Sequence, residues 1–461
     1  MAPEVEARIR RLGRLLEQCR EQGSGAHAGW HRILLADVTA VRRQVAGGAQ
    51  VSRALLPQWA ATLDDAEAAV IGRALQLALG DARTAPSVEG GASRHPFQYG
   101  YHAGDDVYTP CGALMRPGPC HSAGAVFIVD DALEVFAEEA AAAIGMRSAG
   151  DAVRAMSSGL AAVRVPLLLL LARLRRAGQV FVVPRDSWLE VVDLLHHVGR
   201  DTCRFVEAGS AAELAAHAAA PDVGAVLYEP VTNTPAPRFI APQDLWREVA
   251  VRRPSGGLAV VVDAAQTPLL DVAGQVPSGV EVFAAYSFTK WGAGGHHRRP
   301  GGLLVARTDP AMVQRLLQAR SVQRAAPMCP QDAAWLAVDD GATLCSRLGR
   351  YRRNLDALAN GLDALPGIEV RYQSHGAFVV LLDRQRKPGW ARAAASAAVR
   401  AAAADGVPAG WQDSFGLPGP ALSTLPGSGE RALRLIAGSG PRSVTLRYPA
   451  AIRGTLTRVR R

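Results

Sequence analysis

Apolar positions along the first part of the chain recur at helical spacing. Ile9, Leu12, Leu15 and Leu16 fall on one face, and Ala61–Leu79 repeats the pattern, so residues 1–80 are predicted helical. From residue 81 to 125 the text turns to glycine, proline, tyrosine and histidine, which predicts loops. Residues 1–125 therefore read as a helical extension followed by a loop segment. Beyond it, helix-like and strand-like segments alternate. Asp130–Ile144 and a run from Ser157 to Arg175 read as helices, Val180–Val183 as a strand and Leu189–Val198 as a helix. Ala225–Tyr228 and Leu258–Val262 are uninterrupted apolar runs, the form taken by parallel strands covered on both faces. Ala284–Thr289 is a short strand-like run, and Gly302–Val305 is a further apolar segment. Strict alternation of this kind predicts a large doubly wound α/β domain with a mostly parallel sheet over residues 126–310. A helical region then continues to Leu365 and is stopped by Pro366-Gly367. Strands at Gly367–Tyr372, Ala377–Leu382 and Ser443–Arg447, with a helix at Trp390–Ala404, predict a smaller α+β domain over 311–461.

Composition changes the picture in one respect. A net charge of +9 over 461 residues would permit an anionic partner, but the basic residues are spread evenly and are not interleaved with aromatics. No nucleic-acid partner is expected. No apolar run reaches the roughly 18 residues of a membrane span, and no signal pattern opens the chain, so a cytoplasmic protein without a membrane partner is expected. The six cysteines show neither CxxC pairs nor metal-ligand spacing, so neither a disulfide framework nor a metal site is predicted. The basic residues themselves are unusual, since 51 arginines and lysines include only two lysines, Lys290 and Lys387. Arginine can replace lysine wherever charge suffices, but a guanidinium cannot form an imine. A lysine kept in such a chain is a candidate for covalent work. Lys387 lies in the polar stretch Asp383–Pro388, whereas Lys290 follows the hydroxyl-bearing run Ser287-Phe288-Thr289 and precedes Gly292-Ala293-Gly294-Gly295.

The ends of the predicted strands carry matching chemistry. Leu258–Val262 ends in Asp263, Ala225–Tyr228 leads to Glu229 and Asn233, and Ser158-Gly159-Leu160 opens a helix whose first N–H groups are unpaired. Ligands of open α/β sheets bind beyond the carboxyl ends of the strands. An amine, a carboxylate, an amide and a helix start at that edge meet the needs of pyridoxal 5'-phosphate (PLP). Lys290 would carry the cofactor as a Schiff base, Asp263 would hold the ring nitrogen protonated, and Asn233 would bond the ring 3-oxygen.

Residues 130 to 450 resemble the Cys/Met-metabolism family of fold type I PLP-dependent enzymes, relatives of cystathionine γ-synthase and methionine γ-lyase. Ser158-Gly159-Leu160-Ala161-Ala162 is similar to that family's SGMAA segment, Glu229–Asn233 to E-x-P-T-N, and Asp263 with Thr267-Pro268 to D-N-T-F-x-x-P. The most specific match is Ser287-Phe288-Thr289-Lys290-Trp291 with Gly294-Gly295-His296, which resembles S-A-T-K-Y-x-G-G-H. Pro330, Asp340-Gly341-Ala342-Thr343-Leu344 and Asn354 resemble P-x-x-A, RGLKTL and a following asparagine. The resemblance implies Lys290 and Asp263 as catalytic residues. Cofactor contacts would come from Ser158, Gly159, Leu160, Trp188, Asn233, Ala265, Ser287 and Thr289.

Departures are equally informative. The stacking tyrosine of D-x-Y-G-G-T is replaced in Asp186-Ser187-Trp188-Leu189, so Trp188 would stack on the ring without a titratable hydroxyl. The motif that reaches a neighbouring subunit's phosphate, Y-S-R-x-x-N-P-T, has no clear counterpart, and Tyr99, Tyr101 and Arg116 are alternatives. The RGLKTL arginine is also absent, with Asp339-Asp340 in its place. For the substrate carboxylate, Arg447, supported by Ser414 in Ser414-Phe415-Gly416, competes with Arg434; the S-L-G spacing favours Arg447. The expected activity is γ-substitution or γ-elimination on an activated amino acid, such as S-adenosylmethionine or an O-acyl- or phosphohomoserine, with a nucleophilic co-substrate, in specialised metabolism. A catabolic cystathionine or methionine γ-lyase or β-lyase, an aminotransferase, and a non-catalytic PLP-fold binding protein are the alternatives. A homodimer or homotetramer is the expected assembly.

Overall fold

The computed structural model describes residues 151–156, 158–291 (except 255, 269 and 273), 302–322, 341–362, 367–384, 389–404, 410–411, 421–425, 431–438 and 445–451, with Ala141, Arg453 and Leu456. The predicted N-terminal extension lies outside these residues, as do the glycines after Lys290, Lys387, Ser414, Tyr99, Tyr101 and Arg116. In chain order the larger unit holds β1 (Ala152–Met156), α1 (Gly159–Ala177), β2 (Val180–Pro184), α2 (Leu189–Val198), β3 (Cys203–Val206) and α3 (Ala211–Ala218). There follow β4 (Val223–Tyr228), α4 (Pro242–Arg252), β5 (Leu258–Asp263), β6 (Val280–Ser287), a turn α5 (Phe288–Trp291), β7 (Gly302–Arg307) and α6 (Pro310–Val322). The helix α7 (Gly341–Leu362) contains the division between the two units, at Leu348 and Gly349.

The seven strands run in the order β1-β7-β6-β5-β4-β2-β3. All neighbours are parallel except at β7, which is antiparallel to both β1 and β6. Consequently β1, β2, β4, β5 and β6 all point their carboxyl ends to one edge. Every residue of β4 is buried, and five of the six in β5, which accounts for their continuous apolar sequence. The edge strand β3 instead leaves Arg204 exposed, and its broken pattern hid it in the sequence. Helix α1 packs across β5, β6 and β7, burying Leu167, Leu170, Leu171 and Leu174. Ser158 caps its start, accepting from the Ala161 N–H at 3.0 Å, and Gly178 ends it at φ 64°. Each of the four buried leucines contributes about 1.5–3 kcal/mol. No helix among the described residues is long and apolar enough to cross a membrane.

The smaller unit is a five-stranded sheet in the order β10-β11-β12-β9-β8, built from β8 (Ile368–Tyr372), β9 (Val379–Asp383), β10 (Gly410–Trp411), β11 (Ala421–Thr424) and β12 (Ala432–Ile436). The end of α7 and the alanine-rich α8 (Trp390–Ala404) share its core, where Leu355, Leu358, Ala394, Ala398, Leu433 and Leu435 are buried. Of the predicted strand Ser443–Arg447, the described residues Thr445, Leu446 and Arg447 are helical instead. Thr445–Ala450 is helical, with Thr445, Tyr448 and Pro449 buried and Leu446, Arg447 and Ala450 exposed, a spacing only a helix produces.

Candidate active site

Five chain segments leave the common carboxyl edge of the large sheet, and each brings part of the site. After β1, Ser158 and Gly159 begin α1. Gly159 has no room for a side chain, because a Cβ there would lie 2.6 Å from the Ser287 Cβ and 3.0 Å from its Cα. Ser287 ends β6 opposite Gly302, where a Cβ would come 2.2 Å from the Ser158 carbonyl oxygen. The start of α1 is thus packed closely on Ser287 at the carboxyl edge, and a helix start placed there is suited to a phosphate. Leu160 is the second residue of the same helix.

After β6 the chain does not continue as a strand through Thr289, as the apolar run suggested. It turns into α5, which carries Thr289 and Lys290. The reason lies at the end of that turn: Trp291 is buried, and its indole N–H donates to the Ala265 carbonyl at 2.6 Å. This bond ties the lysine turn to the loop that follows β5.

Asp263 closes β5. One of its oxygens accepts the Ala265 N–H at 3.0 Å. Burial raises its carboxyl above the usual aspartate value; the Ala265 N–H and then the Lys290 charge act against that rise, and Glu190 adds to it.

The loop after β4 holds Glu229 and Asn233. A short antiparallel bridge, Val231 to Phe239, and the Ile240 N–H to Pro230 carbonyl bond at 2.9 Å make it a hairpin. Arg238 anchors it by an ion pair with Asp186, the residue that follows β2 by two. Gln266 reaches from the β5 loop to the Val231 carbonyl at 2.9 Å and to Glu229 Oε1 at 3.4 Å. Glu229 is buried, and burial holds its carboxyl well above the usual glutamate value. Asp263 and Asp186 push it the same way, while the Gln266 side chain and the Trp188 backbone N–H act against them. Asn233 Oδ1 is buried with no hydrogen-bond partner among the described residues, and so is Glu229 Oε2. Both unpartnered atoms are acceptors, so this hairpin brings acceptor capacity to the carboxyl edge.

Trp188, half-buried, stands at the start of α2 and packs against the large-unit core. Its indole N–H donates to Glu190 Oε2 at 3.1 Å. The region matching the Cys/Met metabolism PLP-dependent enzyme model is residues 136–381, more than half the chain. The chain belongs to that family. No curated protein was found as a significant sequence relative.

The family's fold is also visible among solved structures. The crystal structure of metB from Corynebacterium glutamicum superposes with a TM-score of 0.56 at 19% identity, covering 70% of this chain and 85% of that one. Apo CalE6, a methionine gamma lyase from Micromonospora echinospora, gives 0.54 at 22% identity over 70% and 86% of the two chains. Cystathionine gamma synthase from Xanthomonas oryzae pv. oryzae, in complex with aminoacrylate and cysteine, gives 0.53 at 22% identity over 71% and 86%. The protein is a fold type I, PLP-dependent enzyme.

The residues present fit that cofactor. The close packing of Gly159 on Ser287 sets the start of α1, ahead of the capped Ala161 N–H, at the carboxyl edge where a phosphate would lie, and Asn233 brings to the same edge a side-chain amide whose Nδ2 would donate to a ring oxygen. The sequence-predicted Lys290, Asp263, Ala265, Asn233, Ser158, Gly159, Leu160, Ser287, Thr289 and Trp188 all belong to the five segments at one edge. Sequence reasoning missed Glu190, Gln266, Trp291 and the Asp186–Arg238 pair. For Glu190 the signal was present as a Trp-x-Glu spacing at a helix start.

The two arginines weighed for a substrate carboxylate differ sharply. Arg447 is exposed on the final helical segment. Arg434 lies on β12 with 1% of its surface exposed; its Nε donates to Ser423 Oγ at 2.9 Å, and its guanidinium sits 5.3 Å from the Phe378 ring centre. A guanidinium held this way is oriented in advance, as a bidentate carboxylate contact requires.

Proposed function

We propose that this enzyme catalyses γ-substitution, or the related γ-elimination, on an amino acid whose side chain already carries a good leaving group. S-adenosylmethionine and O-acyl- or O-phosphohomoserine are the substrates of this class, and a separate nucleophile captures the carbon chain. The observation that carries the reading is the bond from the Trp188 indole N–H to Glu190 at 3.1 Å. An indole has a single polar atom, a donor. With that donor engaged, Trp188 has nothing left to give a departing thiolate, so the site favours a group that leaves unassisted. The structural neighbours, a cystathionine gamma synthase and a methionine gamma lyase, support chemistry at the γ-carbon.

Bound PLP supplies an electron sink that makes the substrate α-proton removable. The chain's residues do the rest. Lys290 Nζ takes the α-proton and moves it along the substrate, Asp263 keeps a proton at the ring nitrogen, and Asn233 holds the ring oxygen. The α1 N–H groups with Ser287 hold the phosphate, and Trp188 covers one ring face. Arg434, prepared by Ser423 and Phe378, is the better candidate than Arg447 for the substrate carboxylate. A cytoplasmic homodimer or homotetramer with a role in specialised metabolism completes the proposal, and light scattering measures the assembly.

The test is a mass-spectrometric screen of purified enzyme with S-adenosylmethionine and O-acyl- and O-phosphohomoserine, each with candidate thiol, amine and carbon nucleophiles. Release of the activated leaving group with a coupled product is expected. Rapid cleavage of free methionine or cystathionine, with the activated substrates untouched, would sink the reading in favour of a catabolic lyase. Keto-acid formation would indicate an aminotransferase instead.

A further inference from the structure

The start of α2 is where this chain departs most from the family's D-x-Y-G-G-T pattern. The tyrosine and two glycines become Trp188, Leu189 and Glu190. Glycines at those positions offer no side chain to hold the ring before them, whereas Glu190 does. It occupies the first turn of α2, where unpaired N–H groups favour an acid, and its Oε2 accepts the indole N–H at 3.1 Å. The Trp188 backbone is fixed as well. Its carbonyl accepts from both the Val191 and Val192 N–H groups at 3.0 Å. Two torsions orient an indole relative to its backbone, and here the backbone is held at one end and the ring nitrogen at the other.

We propose that Glu190 is a positioning residue that locks the Trp188 indole in the plane in which it covers the cofactor ring. The inference rests on the reading that Trp188 stacks on the cofactor. Two further facts agree with it. Trp188 packs against the large-unit core, so the ring has a wall behind it, and Glu190 is near enough to Asp263 to act on its carboxyl. Glu190 is itself half-exposed, so its replacement does not open the core.

The experiment uses the holoenzyme and four forms: wild type, Glu190→Gln, Glu190→Ala and Trp188→Leu. Visible circular dichroism of the bound cofactor reports how its ring is held, and dialysis with absorbance readout gives its dissociation constant. Glutamine keeps an oxygen for the indole N–H but carries no charge. Glu190→Gln is therefore expected to retain the visible dichroism and to bind PLP within about twofold of wild type. Glu190→Ala is expected to lose most of the visible dichroism and to bind PLP about tenfold more weakly, a loss near 1.4 kcal/mol. An alanine variant indistinguishable from wild type, while Trp188→Leu is impaired, overturns the positioning role alone. A glutamine variant as impaired as alanine also overturns it, because charge would then be the operative property. If Trp188→Leu itself leaves the dichroism and affinity unchanged, the stacking reading falls.

Discussion

Replacing Gly159 by alanine tests the cofactor cradle at its tightest point. The added Cβ would stand 2.6 Å from the Ser287 Cβ, 2.8 Å from its Oγ and 3.0 Å from its Cα. Carbon atoms in contact prefer about 3.5–4.0 Å, so relief demands a movement of about 1 Å. Ser287 cannot supply it cheaply, since it is paired with Gly302 at the junction of β6 and β7, and Gly302 is itself pressed against the Ser158 carbonyl. The start of α1 must therefore lift away from the strands. Overpacking of this kind costs about 1–3 kcal/mol. The same lift moves the helix N–H groups off the phosphate, so PLP affinity is expected to fall about 10- to 100-fold, at 1.4 kcal/mol per tenfold. Gly178→Ala is the control. Gly178 ends α1 at φ +64° with open space around it, so alanine there costs about 1–2 kcal/mol of backbone strain but touches no ligand. Equilibrium denaturation measures both stability losses, and fluorescence titration with PLP measures both affinities. Comparable destabilisation with weakened PLP binding in Gly159→Ala only is the expected pair. Equal PLP affinity in the two variants would refute the cradle.

Lys290→Arg is expected to keep a folded protein but to lose the visible absorbance of bound PLP, with turnover down about 10²- to 10⁴-fold from the missing proton carrier; an undiminished visible band would contradict the assignment. Glu229→Gln probes the buried acid. A carboxyl whose folded value lies above the unfolded one binds more protons in the native state, so stability is complete below about pH 4.5 and falls as pH rises toward the folded value. Denaturation at a series of pH values rising from about 4.5 should show the wild type losing stability, and Glu229→Gln a shallower slope. Asp263, shifted the same way, leaves a residual slope. Arg434→Lys should raise KM for the amino-acid substrate about tenfold or more, reflecting a lost bidentate contact of about 1.5–3 kcal/mol. Arg447→Ala should leave KM unchanged; the reverse pattern in steady-state kinetics would restore Arg447 as the ligand.

Much of the site was legible because its chemistry is confined to a few residue types. In a chain of 49 arginines, a lysine in a hydroxyl-rich segment stands out, and an acid closing a continuous apolar strand marks a carboxyl edge. Burial on both faces forced β4 and β5 to declare themselves as unbroken apolar runs. Elements exposed on one side were hidden. β1 contains Arg154, β3 contains Arg204, and neither reads as a strand without its neighbour. Thr445–Ala450 misled in the other direction, since a short segment with β-branched residues looks like a strand until Tyr448 and Pro449 are seen to be buried on one helical face.

By itself, then, the order of residues picked out the groups proposed for the reaction: one lysine, one strand-end acid, one amide, one glycine-opened helix and one indole. Only the tertiary structure decided how those groups are braced. The Gly159–Ser287 contact spans 128 positions, the Trp291–Ala265 bond 26 and the Arg238–Asp186 pair 52, separations at which no local pattern carries information. Glu190 is the sharpest case, for it sits two residues from Trp188 and was visible throughout. What the linear text lacked was the direction of a helix start, which points the carboxylate back at the indole.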